Sequence, residues 1–84
     1  MVLGKVKKNI WATEKIDGLD GYRFVLVSPI NKNYEETDEI IVAVDKLGAG
    51  NENLVLLVQG DAAFKFFKEK IPVDAMVIAL IDQK

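Results

Sequence analysis

Three stretches of this chain are apolar on successive rather than alternate residues: Ile40-Ile41-Val42-Ala43-Val44, Leu54-Val55-Leu56-Leu57-Val58 and Val77-Ile78-Ala79-Leu80-Ile81. Each is too short for a helical span and is rich in β-branched residues, so each reads as a strand. A strand with one wet face alternates apolar and polar residues, and these do not. One face can fill a core, and the other must lie under a helix or against another subunit. Two further strands precede them. Val2 to Thr13 carries apolar residues at Val2, Val6, Ile10 and Ala12 with lysines between them, and reads as a long, edge-like strand. Turn signals at Asp17-Gly18 and Asp20-Gly21 separate it from Tyr22 to Val27, which Pro29 is expected to stop. Asn31 to Asp38 is a polar loop, after which strands are expected over Glu39 to Asp45, Leu54 to Gln59 and Met76 to Ile81. Between the last two, Asp61 can cap a short helix whose Ala63, Phe64 and Phe67 share one face. Lys65, Lys68 and Lys70 lie toward its negative end, and Pro72 stops it. The pattern predicts a mainly β fold: a small five-stranded antiparallel OB-like barrel with one short helix before the last strand, forming a single domain over residues 1–84.

The third strand ends on an acid and runs into a glycine-bracketed corner, Asp45-Lys46-Leu47-Gly48-Ala49-Gly50. Glycine enters positive φ without steric cost and lets another backbone come close, so this corner asks what it packs against. It is not a phosphate loop. A Walker motif needs Gly-Lys-Ser/Thr at a helix start, and a dinucleotide fingerprint needs a third glycine and a helix, whereas Asn51-Glu52-Asn53 leads into a strand. The plainest account of Asp45 is a turn cap that accepts backbone N–H groups.

Composition removes several functions. The 84 residues include no cysteine and no histidine, which excludes disulfides, thiolate metal sites and every Ser-His or Cys-His catalytic pair. No cofactor, metal or catalytic residue is expected. The net charge of −2 lacks the basic field of most nucleic-acid binders, although Tyr22 and Phe24 on one strand face leave an OB-type single-stranded nucleic-acid-binding module as the alternative reading. Carboxylates such as Asp45, Asp74 and Asp82 have no spacing that specifies a paired acid and base, so an enzyme is not expected. No apolar run approaches a membrane span or a signal peptide, and a cytoplasmic location is expected.

The corner acquires a context from the rest of the chain. Met1-Val2-Leu3-Gly4-Lys5-Val6 is followed by Ile10-Trp11-Ala12-Thr13-Glu14-Lys15, then by Leu19-x-Gly21 and Leu26-Val27-x-Pro29. Leu56-Leu57-Val58-x-Gly60-x-Ala62-Ala63 and Pro72-Val73-Asp74-Ala75 stand near the end. In this order and spacing the chain resembles the EutN/CcmL family of pentameric vertex proteins of bacterial microcompartment shells. The resemblance implies a structural protein without catalysis: barrel protomers form a homopentamer that caps a shell vertex among hexameric shell proteins. A flat hexagonal layer closes only where pentagons introduce curvature, and a head-to-tail interface that closes at five supplies them. The first segment leans toward the catabolic branch rather than the carboxysome.

Carried over residue by residue, the resemblance places Asp45, Gly48, Ala49 and Gly50 at or near a subunit boundary, with Thr13 as a polar partner close by. A branched side chain at Gly48 is then expected to disturb assembly more than folding. Pro72-Val73-Asp74-Ala75 reads as a helix stop and strand start, and Trp11 as a core or interface residue. The chain departs from the family pattern at Lys8, where a glycine is usual, at Asn51-Glu52-Asn53 beyond the corner, and at Phe64. It also ends soon after Asp82, so a tail-mediated contact is not expected.

Overall fold

In the computed structural model, residues 1–11, 15, 19, 21–60, 63 and 73–82 are described. They form five strands, β1 (Val2–Ile10), β2 (Arg23–Pro29), β3 (Ile41–Asp45), β4 (Leu54–Gln59) and β5 (Ala75–Ile81), in a closed barrel of order β1-β2-β3-β5-β4. Four seams are antiparallel and β3–β5 is parallel, held by the pairs Val44↔Met76 and Asp45↔Val77. The parallel seam is a matter of parity, since strand direction cannot alternate all the way round a ring with an odd number of strands. The helix expected from Asp61 to Lys70 lies outside the described residues except for Ala63.

The interior is narrow. Val6, Val25, Val27, Ala43, Ala49, Val55, Leu57, Ala75 and Val77 form its core, rimmed by Val2 and Ile41. Nearly all are Val or Ala, the sizes that five strands can enclose. The second faces of the strands are covered separately. Val44 and Val73 pack with Leu19, Tyr22 and Phe24, while Val58, Ala63 and Met76 pack with Ile78. Successive apolar residues in β3, β4 and β5 therefore serve two packing layers. Coverage is incomplete, however, because Ile40 and Val42 remain 64% and 50% exposed.

Three local expectations change. β1 is not an edge: it pairs with β2 on one side and β4 on the other. Its register shifts between Val6 and Lys8, leaving Lys7 as the extra residue of a bulge. Pro29 belongs to β2 rather than ending it beforehand, since the strand needs only its carbonyl there, which accepts from Thr37 N and Thr37 Oγ1. Trp11 is not in the core, being 89% exposed.

Candidate functional site: the corner after β3

Ile41, Ala43 and Asp45 occupy alternate positions of β3, so the pleat that puts Ala43 in the core turns Asp45 inward as well. The result is a buried carboxylate at one end of the barrel, with its side chain wholly enclosed. A buried charge needs partners. Asp45 Oδ1 accepts from Leu47 N at 2.8 Å, and Oδ2 accepts from Ala49 N at 2.7 Å. The turn-cap reading of Asp45 is thus what the structure contains.

The other half of the clasp comes from β2. Arg23 pairs with Asp45 across the ladder, and its Nη1 lies 3.9 Å from Asp45 Oδ2. Arg23 Nη2 donates to Ala49 O at 2.7 Å, while Nε and Nη2 both donate to Asn9 Oδ1 on β1, at 2.9 and 2.5 Å. Ala49 is therefore held at its N–H by the acid and at its carbonyl by the guanidinium, while its methyl sits in the core. A planar fork with several fixed donors suits this task, and a lysine could not reproduce it. Arg23 is the chain's only arginine, a signal in the sequence that the reading above did not use.

The glycines divide by cause. Gly48 has φ +82° with open space where a side chain would stand, so the isolated chain needs glycine there for conformation and not for room. Gly50 N donates to Asn53 Oδ1 at 2.7 Å, and Asn53 N donates back to Gly50 O at 3.1 Å. Glu52 N then donates to Val6 O and Val6 N to Asn53 O, which sews the corner to β1. Thr13, the remaining expected site residue, lies outside the described residues, as does Pro72 of the Pro72-to-Ala75 segment.

The unusual end of the corner has its own partners. Lys7, lifted by the bulge, bridges Glu36 at 3.0 Å and Glu52 at 2.9 Å, with Lys5 3.8 Å from Glu52. Hydrogen bonding to Lys7 lowers the pKa of Glu52 from its ordinary 4.5, and hydrogen bonding to Glu52 and Glu36 raises that of Lys7 from 10.5. The depressed acid supports the fold above the ordinary carboxylate range and loses that support as pH falls through its folded value. The raised lysine supports it below the ordinary lysine range and loses it as pH rises through its folded value. All these groups are solvated, so salt weakens the network.

Beside the corner, Asn9, Ile10 and Trp11 at the end of β1 and Tyr22, Arg23 and Phe24 at the start of β2 line a pocket of about 320 Å³. Lys46 Nζ lies 5.2 Å above the Tyr22 ring, a cation–π contact that joins the corner to this wall. Tyr22 and Phe24 are half-buried against Val44 and Val73 and also line this pocket.

These features define a class of molecule first: a single closed β-barrel whose corner acid is satisfied internally and whose outer strand faces carry exposed aliphatic side chains. Residues 1–82 match the family described as "Ethanolamine utilisation protein EutN/carboxysome", and the chain belongs to that family. It is 35% identical over 83 residues to the carboxysome shell vertex protein CcmL of Gloeobacter violaceus, covering 98% of this chain and 83% of that protein. It is 34% identical over 84 residues to the bacterial microcompartment shell vertex protein EutN of Escherichia coli, covering 99% and 88%. Among solved structures it is similar to the G. violaceus CcmL, with a TM-score of 0.91 over 98% of this chain and 86% of that one. The pentameric microcompartment shell protein GrpN of Rhodospirillum rubrum is 29% identical, with a TM-score of 0.86 over 99% and 94%.

Proposed function

We propose that this chain is a structural protein that assembles as a homopentamer and closes the vertices of a bacterial microcompartment shell, beside hexameric shell proteins and without chemistry of its own. The observation that carries this reading is the whole-length likeness to a pentameric shell protein at a TM-score of 0.86. The physical support is the outer surface of the barrel, where Ile40 and Val42 stand exposed on an otherwise well-packed small domain. Its working place is the shell itself, in the cytoplasm. CcmL and EutN relatives match at 35% and 34% identity, so likeness does not favour a carboxysome over a catabolic compartment.

Native mass spectrometry at micromolar protomer tests the reading directly. A pentamer is the expected species. A stable monomer or dimer across that range would overturn the proposal.

In this assembly the corner Asp45, Gly48, Ala49 and Gly50, with Thr13, lies at the subunit boundary, and Gly48→Asn separates its two roles. Asparagine tolerates left-handed backbone, and the space around Gly48 is open, so the monomer should fold with a loss of about 1 kcal/mol or less. Gly48→Val is the poorer probe, since φ +82° makes a β-branched residue cost the isolated chain about 1–2 kcal/mol. If the corner meets a neighbour, Gly48→Asn loses pentamer in native mass spectra while its circular dichroism is unchanged. Normal rings from this variant would remove the corner from the interface.

A further inference from the structure

A ring built head to tail needs two different surfaces on each copy, one for each neighbour. The chain carries such a pair, and their chemistry is complementary. One is the pocket at the end of β1 and the start of β2, with Trp11 89% exposed at its mouth. Lys15 and Arg23 belong to its lining, Lys46 adjoins it over Tyr22, and among the described residues that line it none is acidic. The other is the approach to β3. From Asn33 to Asp45 the sequence holds Glu35, Glu36, Asp38, Glu39 and Asp45 and not one lysine or arginine. Glu36 is bonded to Lys7 and Asp45 is buried, while Glu35, Asp38 and Glu39 are exposed beside Ile40, itself 64% exposed.

Neither surface can satisfy the other within one copy. Arg23 pairs with Asp45 and Val27 with Ile41, so the pocket and Ile40 stand at opposite ends of the β2–β3 ladder. Five residues of extended chain separate their levels, about 16 Å at roughly 3.3 Å per residue. A two-fold contact can pair them reciprocally within a dimer, whereas a head-to-tail contact pairs them once at each junction and repeats around the ring proposed above.

We propose that Ile40 of one copy, flanked by Asp38 and Glu39, docks at the Trp11 pocket of the next copy, with Lys15 facing the acidic flank. The inference rests on the ring assembly proposed above and assigns its two contact surfaces. Arg23 then has two duties, because the guanidinium that grips Ala49 also walls the pocket, so the docked neighbour and the corner share one support.

The chain has no cysteine, which allows a direct test. In the double variant Trp11→Cys, Ile40→Cys the two thiols of one copy are too far apart to join, since a disulfide needs Cα atoms within about 7 Å. Oxidised rings should therefore give a covalent ladder reaching five subunits on a non-reducing denaturing gel, while either single variant stops at two. Charge reversal is the second arm. Lys15→Glu and Glu39→Lys should each raise the protomer concentration for half-dissociation about tenfold, and the pair together should restore it. A cysteine variant that forms pentamers but no ladder overturns the docking. If that variant forms no ring, the charge pair decides: restoration supports the docking, and no restoration overturns it. Absence of pentamers from the unmodified protein would instead overturn the assembly reading, and the docking with it.

Discussion

Asp45→Ala is expected to remove about 2–4 kcal/mol of stability, mostly by leaving a buried backbone donor unmet, with a smaller loss from the part-exposed pair with Arg23. The substitution strips acceptors from Leu47 N and Ala49 N and leaves Arg23 without the carboxylate 3.9 Å away. Ala49 N is the more costly loss because it is buried, and an unmet buried donor alone costs about 1–3 kcal/mol. A domain of this length has a total stability of roughly 4–13 kcal/mol, so the loss is a substantial fraction of it. Asp45→Asn should fall between the two, since its amide can still accept one of the backbone bonds but presents a donor where Ala49 N–H needs an acceptor. Urea unfolding followed by circular dichroism, at one fixed protomer concentration because assembly would add to apparent stability, reads the order directly. A midpoint for Asp45→Ala within error of the parent would show that water serves the corner as well as the carboxylate does.

The strands were legible because their signal is local. Leu54 to Gln59 has the observed bounds, and the apolar runs of β3 and β5 announced a second covered face. The errors came where a distant residue decides the outcome. Lys5, Lys7 and Lys8 look like the charges that protect a sheet edge, but Lys7 meets Glu36 and Glu52, 29 and 45 positions away, on a strand paired on both sides. Trp11 reads as core or interface by its size, and the closed barrel removes only the first of these, since its narrow core is filled without Trp11, which is 89% exposed. The site was legible in half. Asp45 as a cap follows from an acid before a glycine turn, whereas its counterpart Arg23 lies 22 positions earlier and is brought opposite only by the β2–β3 register.

Gly4→Ala should be the most damaging single-methyl addition in β1. A Cβ at Gly4 would lie far inside contact distance of Val27 Cγ1 and 3.2 Å from Ser28 O. Neither neighbour can give way easily. Val27 is fully buried in the barrel core with a β-branched side chain that strongly prefers one rotamer, and Ser28 is held in the β1–β2 ladder. Overpacking of this kind costs about 1–3 kcal/mol, which outweighs the ~0.5–1 kcal/mol that alanine gains over glycine in a strand interior. A Val27→Ala variant tests the cause. Alone it leaves a cavity and should lose about 2 kcal/mol, but combined with Gly4→Ala it removes the clashing methyl and lets the new one occupy part of the gap. The double variant should therefore be more stable than the sum of the single losses predicts, by about 1–2 kcal/mol. Additive losses in urea unfolding would mean that the barrel wall at Gly4 relaxes outward instead. The close approach of β2 to β1 would then not be what requires glycine at this position.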